Sequence, residues 1–206
     1  MIAIVDYGMG NLRSVQKALE KAGADARIVA HPGELSTATK IVLPGVGAFA
    51  DAMERLCGTG MVEPMVQAVR DGMPLLGICL GLQLMFDVSY EDGQFTGLGL
   101  LPGKVVRFDF HSSATDQSLR VPQMGWNQIH HPGTCPLFEG IPSGAYVYFA
   151  HSYYVAPLEN QVTATTTDYG SNYASAVWSG NVYGCQFHPE KSQSVGLKIL
   201  ENFVRL

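Results

Sequence analysis

The sequence predicts an α/β fold: a mostly parallel sheet flanked by helices, with an added antiparallel β portion. Three observations carry this expectation. Short apolar runs alternate with helix-periodic segments from the first residue to about residue 86. One of those runs leads into Gly77-Ile78-Cys79-Leu80-Gly81, which suits a strand, a tight turn and a helix with a cysteine at the apex. After Asp87 the texture changes to β-rich runs separated by turn clusters.

Taken in order, Ile2–Asp6 reads as the first strand. Leu12–Ala22 follows as a helix, because Leu12, Val15, Leu19 and Ala22 recur on one face. Ala26–Ala30 and Lys40–Leu43 read as strands, and Phe49–Leu56 and Val62–Asp71 as helices. Pro74–Ile78 is the strand entering the cysteine turn, and Leu82–Phe86 reads as the opening turns of the helix leaving it. Lys104–Phe108, Gln128–His130, Tyr146–Ala150 and Ala174–Trp178 read as antiparallel strands appended to the parallel sheet. Ser112–Ser118 is polar and reads as an exposed hairpin tip. Val182–Phe187 is a late strand, and Gly196–Val204 closes as a helix. With no repeat, low-complexity tract or linker, residues 1–206 read as one domain.

Composition excludes several classes of function. Hydrophobic residues make up 47% of the 206 and charged residues 15%, so a large core is available and disorder is disfavoured. A net charge of −5 without a basic run argues against a nucleic-acid footprint. No segment reaches the roughly 20 apolar residues that a membrane helix needs. Met1–Asp6 lacks the basic leader and long apolar region of a signal peptide, which points to a cytoplasmic protein. The four cysteines show no close metal-ligand spacing, and a disulfide framework is not expected in a cytosolic chain of this size. No metal is implied. Cys57, Cys135 and Cys185 read as structural.

The chemistry lies elsewhere. Glycines two residues either side of Cys79 suit a turn in which entering and leaving backbones nearly touch. Such a turn lifts the sulfur clear of the sheet and points the Leu80 amide, at a helix start, toward whatever the sulfur attacks. A buried cysteine beside incidental glycines is the plainer alternative. Near the C-terminus, Phe187-His188-Pro189-Glu190 follows a strand, and Pro189 favours extended angles at His188. Residues two apart in an extended chain share a side, so Glu190 could orient the His188 imidazole. A loop histidine and a surface carboxylate are the corresponding plain readings. The elbow and this pair together favour a Cys-His-Glu triad. Gly8-Met9-Gly10 could open a dinucleotide fingerprint, but Arg13 stands at the third glycine position, so no nucleotide cofactor is expected. Those glycines more simply shape a loop beside the site, or a surface that docks a partner.

Gly-Ile-Cys-Leu-Gly-Leu-Gln followed far downstream by Phe-His-Pro-Glu resembles the class I, triad-type glutamine amidotransferases. Residues 6–12, 43–49, 121–127, 148–154 and 187–193 narrow the resemblance to the glutaminase subunits that serve a cyclase of histidine biosynthesis. The resemblance implies a flavodoxin-like fold and no cofactor. It implies hydrolysis of glutamine by Cys79, His188 and Glu190. Val46 or Gly47, from the strand Pro44-Gly45-Val46-Gly47, would join Leu80 in an oxyanion hole. Gly45, Gln83, His151, Ser152 and Tyr153 would bind glutamine. Ammonia stays nucleophilic only along an enclosed path, and the acceptor enzyme does not fit in this chain. The implied partner is therefore a cyclase of (β/α)8-barrel fold, forming a heterodimer and making imidazole glycerol phosphate and aminoimidazole carboxamide ribotide. Asn11, Met124, Trp126, Tyr148 and Lys191 would face it. Gln123 stands where the resemblance as readily implies histidine. Two rivals remain open: a cysteine hydrolase of related architecture, separated by ammonia release from glutamine, and an inactive binding protein, separated by trapping with an electrophilic glutamine analogue.

Overall fold

The computed structural model describes residues 1–110 and 119–206; the expected hairpin tip at Ser112–Ser118 lies outside the described residues. The chain runs β1 (Ile2–Val5), α1 (Leu12–Lys21), β2 (Ala26–Val29), β3 (Lys40–Gly45), α2 (Phe49–Gly58), α3 (Val62–Arg70), β4 (Leu75–Cys79) and α4 (Leu80–Leu84). It continues through β5 (Phe86–Ser89), β6 (Phe95–Thr96), β7 (Leu101–Arg107), β8 (Gln123–Ile129), β9 (Ala145–His151) and β10 (Tyr153–Pro157). It ends with β11 (Thr163–Asp168), β12 (Asn172–Ser179), β13 (Val182–Cys185) and α5 (Gln193–Arg205).

The main sheet is mixed, in the order β2-β1-β3-β4-β13-β12-β10-β7-β5-β6, with β11 paired to β12 off that path. From β2 to β13 every pair is parallel, and this is the half that carries the elbow. Its inner strands β1, β3, β4 and β13 are buried on both faces, which is why they read as apolar runs, while the edge strand β2 exposes Arg27. Alternate side chains divide between two cores. Ala3, Val5, Ile41 and Leu43 pack with Phe49, Leu56, Met65 and Leu82 of α2, α3 and α4. Ile2, Ile4, Val42 and Ile78 pack on the other face with Val15 and Leu19 of α1 and Ile199, Leu200 and Phe203 of α5. Each large side chain buried in this way contributes roughly 1.5–3 kcal/mol.

Several expectations change. The helix after Cys79 does not run through Phe86; it stops at Leu84, and Phe86 begins a strand. The carbonyls of Leu84 and Met85 accept from the amides of Leu98, Leu100 and Leu101, which takes the bonds a longer helix would have needed. The strands expected at Gln128–His130 and Tyr146–Ala150 do not extend the main sheet as full strands. They belong to β8 and β9, an antiparallel ribbon paired from Gln123–His151 to Ile129–Ala145 and tied to β11 of the main sheet by the His130–Thr166 bridge, with two hydrogen bonds of 2.8 Å. Alternation announces a strand but not its partner. Finally, Pro189–Lys191 is a 3₁₀ turn, so Glu190 reaches His188 by a turn and not along an extended chain. The helix after it starts at Gln193, earlier than expected. Gly196 is needed within it, because a Cβ there would overlap the Pro189 carbonyl where α5 crosses that turn.

Candidate active site

Cys79 ends β4 with φ 55° and ψ −109°, a conformation that side chains other than glycine rarely hold. The flanking glycines make it possible. A Cβ on Gly81 would overlap the Leu43 carbonyl oxygen, and one on Gly77 would lie 2.8 Å from backbone atoms of Gly81 and Leu82. In β3, Gly45 pairs with Cys79, and a Cβ there would meet the Tyr7 hydroxyl at 2.5 Å and Leu80 Cβ at 2.9 Å. Gly45 thus packs the elbow and does not line the cleft in front of the sulfur.

His188 Nδ1 lies 2.9 Å from Glu190 Oε1, with 5% and 1% of the two side chains exposed. The other ring nitrogen is left for Cys79, whose sulfur acts electrostatically on the imidazole. Burial disfavours the charged ring, but the Cys79 sulfur and the Glu190 carboxylate outweigh it and raise His188 to about 10. Glu190 Oε2 is buried with no partner among the described residues, so His188 is the group left to balance this carboxylate. The backbone of His188 is held as firmly as its ring. Its N–H donates to the Tyr148 carbonyl at 2.9 Å, while Ser192 Oγ donates to the His188 carbonyl at 2.7 Å and accepts from the Tyr148 N–H at 3.0 Å.

A cleft of about 380 Å³ opens over the sulfur. Of the residues singled out in the sequence, it gathers Val46, Gly47, Cys79, Leu80, Gln83, His151, Ser152, Tyr153 and His188, with Met124 and Lys191 at its wall. Glu190 stands behind His188, and Asn11, Trp126 and Tyr148 do not line the cleft. Glu91, Pro122 and Ala150 line it without having been expected. Glu91 Oε2 accepts from the Phe49 N–H at 2.7 Å at the start of α2, and burial raises its carboxyl. Its neighbours Tyr90, Asp92 and Gly93 mark an ordinary turn, so nothing local distinguished it.

The segment opposite the elbow hangs between two anchors. The Tyr7 hydroxyl donates to the Pro44 carbonyl at 2.9 Å, and Glu91 holds the Phe49 amide. Between them Gly47 has φ +93°, and a Cβ there would meet Met9 Cε at 2.7 Å, the tip of a flexible side chain.

A buried polar network lies behind the cleft. His151 Nδ1 donates to the Tyr153 carbonyl at 2.8 Å, and burial lowers His151 to about 4, so its ring is neutral. Its Nε2 lies 3.2 Å from the Tyr173 hydroxyl, which is 2.8 Å from the side-chain oxygen of Gln123. Gln123, 3% exposed, therefore supports His151 from behind and does not face the cleft.

From the cleft wall outward, the β8–β9 ribbon presents Met124 (67% exposed), Trp126 (46%) and Tyr146 (55%) to solvent. Trp126 packs edge-on to its cross-strand partner Tyr148 at 6.1 Å, and Lys191 Nζ sits 5.7 Å from the Tyr148 ring. Such an aromatic surface suits an interface. Asn11 is exposed at the start of α1, and its side chain makes no capping bond. Among the described residues no group of three or more His, Cys, Asp or Glu could hold a metal ion, and no helix is long and apolar enough to cross a membrane.

The glutamine amidotransferase class-I family profile matches residues 3–206. The chain is 55% identical over 203 residues to the imidazole glycerol phosphate synthase subunit HisH of Syntrophotalea carbinolica, covering 98% of each chain. It is 51% identical to the HisH subunit of Moorella thermoacetica, over 100% of this chain and 94% of that one. Among solved structures, a glutamine amidotransferase superposes with a TM-score of 0.75 at 20% identity, over 98% of both chains. The structure of PurLQS from Thermotoga maritima gives 0.75 at 19% identity, over 99% of this chain and 97% of that one. These two likenesses establish the shared fold.

Proposed function

Because the chain belongs to the class-I glutamine amidotransferases, and within them to the HisH subunits of imidazole glycerol phosphate synthase, we propose that residues 1–206 act as one cytoplasmic glutaminase domain that makes ammonia for a cyclase. The observation that carries this reading is the Glu190–His188 pair facing the same cleft as Cys79, which sits on a strained elbow and acts electrostatically on the His188 ring. Cys79 thiolate attacks the side-chain amide carbon of glutamine. The oxyanion is taken by the Leu80 amide and by that of Val46 or Gly47. His188, protonated and held by Glu190, gives its proton to the departing nitrogen, and ammonia leaves. Water then loses a proton to His188 and adds to the γ-glutamyl thioester. The C–S bond breaks, its electron pair returns to sulfur, and glutamate is released.

Substrate selection draws on the cleft wall. Both N–H groups of the Gln83 carboxamide are engaged, with the Tyr153 carbonyl at 2.9 Å and Gln186 Oε1 at 3.1 Å, so its remaining oxygen is what it can offer a ligand. An acceptor there suits the γ-NH₂ of glutamine and repels the carboxylate of glutamate. Glu91, a carboxylate on the same wall, suits the substrate's ammonium group. His151, Ser152 and Tyr153 complete the pocket, and Gly45 acts from behind through the packing of Leu80. The partner is a (β/α)8-barrel cyclase docked on the face that bears Asn11, Met124, Trp126, Tyr148 and Lys191. The two form a heterodimer, and ammonia passes between them to yield imidazole glycerol phosphate and aminoimidazole carboxamide ribotide.

The test is Cys79→Ala in the complex. Glutamine-driven synthesis should be abolished while synthesis from ammonium salts at raised pH persists, and an electrophilic glutamine analogue should label Cys79 in the parent chain alone. Loss of the ammonium-driven reaction from an assembled complex would overturn the division of labour.

A further inference from the structure

Gln186 follows β13 with its backbone N–H on the Ser175 carbonyl at 2.8 Å, and its side chain is fully buried. Its Nε2 lies 3.7 Å from Cys79 Sγ, within reach of a hydrogen bond to sulfur. Which end of a carboxamide faces a neighbour is ordinarily an assignment. Here the surroundings force it. The Tyr153 carbonyl can only accept, so the end of Gln83 that faces it, at 2.9 Å, is the NH₂. The second hydrogen of that NH₂ points to Gln186 at 3.1 Å, so the near end of Gln186 must be its oxygen. The far end, against the sulfur, is then an N–H donor. Turning over Gln186 would set donor against donor in a dry interior, and turning over Gln83 would set acceptor against acceptor.

We propose that Gln186 is a further catalytic residue, whose carboxamide keeps an N–H on Cys79 Sγ and stabilises negative charge on that sulfur. The inference rests on the glutaminase reading above and deepens it. The donor acts twice in the cycle. It favours the thiolate before attack, since a hydrogen bond to a charged form favours that form. It acts again when the thioester collapses, as the C–S electron pair returns to sulfur. Gln83 joins this function to the substrate pocket, because the same carboxamide orients Gln186 and lines the cleft.

Gln186→Glu is the discriminating variant. It keeps size and the acceptor for Gln83 but replaces the N–H facing sulfur by oxygen. In the complex with cyclase, iodoacetamide alkylation of Cys79 at neutral pH should slow at least tenfold, with the alkylation profile displaced to higher pH. kcat for glutamine should fall by a similar factor while KM changes little. Gln186→Met, which removes the donor without adding charge, should show the same displacement to a smaller degree. In the unaltered chain, the Gln186 side-chain N–H resonances should move when iodoacetamide caps the sulfur. Unchanged alkylation profiles in folded variants, or resonances indifferent to capping, overturn the proposal. Ammonia release from glutamine by the unaltered complex tests the underlying glutaminase reading separately, since alkylation does not depend on glutamine.

Discussion

At the elbow, a single added carbon on Gly77 or Gly81 would collide with backbone, whereas at Gly47, on the facing segment, the same carbon meets only the methyl of Met9. One wall of the cleft is determined by steric exclusion: β4 lies between β3 and β13, and the turn has no room to relax. The other wall is a short span slung from Tyr7–Pro44 at one end and Glu91–Phe49 at the other, with a left-handed glycine between. The rigid wall fixes Cys79 and the Leu80 amide, the proposed nucleophile and one proposed oxyanion donor. The slung wall, with its positive-φ glycine, meets no backbone that would resist a turned peptide, which suits the proposed second oxyanion donor.

The rigid wall should be the more sensitive to change. His188→Ala, which removes the base, should cost on the order of 10⁶ in glutamine-driven kcat, and Glu190→Gln about 10–10² less than that. Steady-state kinetics decide between them, and equal losses would mean that Glu190 does more than orient. Glu190 is also one of the two groups that raise His188 to about 10, so Glu190→Gln lets the imidazole lose its proton at lower pH. The alkaline limb of the rate profile should move down accordingly. Gly81→Ala should destabilise the fold by about 4 kcal/mol, a drop of roughly 10 °C in Tm, read by thermal unfolding. Gly47→Val tests the other wall. It should leave assembly with the cyclase intact but lower the stimulated rate by about 10²–10³, the effect of losing one oxyanion donor. A large loss of Tm in Gly47→Val would erase the contrast between the walls. The smallest effect separates backbone from side chain at the apex. Cys79→Gly should be more stable than Cys79→Ala by about 1 kcal/mol, because glycine relieves the positive φ.

Much of this was legible in the chain. The glycines about Cys79 carry their own steric reason, so the elbow could be read before its strand partners were known. His188 and Glu190 could be paired from spacing, although the route between them proved to be a 3₁₀ turn and not an extended chain. Glu91 and Gln186 were not legible as parts of the site. Glu91 reaches the cleft through its bond to an amide 42 residues away, and Gln186 touches a sulfur 107 residues away. Local pattern contains neither distance. The separate β8–β9 ribbon was hidden for the same reason, since alternation in Tyr146–Ala150 specifies a face and not a sheet.

The ring of bonds joining His188, Tyr148 and Ser192 has a consequence for how the protein can vary. Every contact in it is made by main-chain atoms and one hydroxyl that is 1% exposed. The outward side chains of the ribbon take no part in it. They can therefore be exchanged to fit a remodelled partner surface while the imidazole keeps its position, as a lock plate can be recut without moving the bolt behind it. The ribbon is the natural place to redesign the proposed assembly, and Ser192, behind it at the start of α5, is the residue that such a redesign should leave alone.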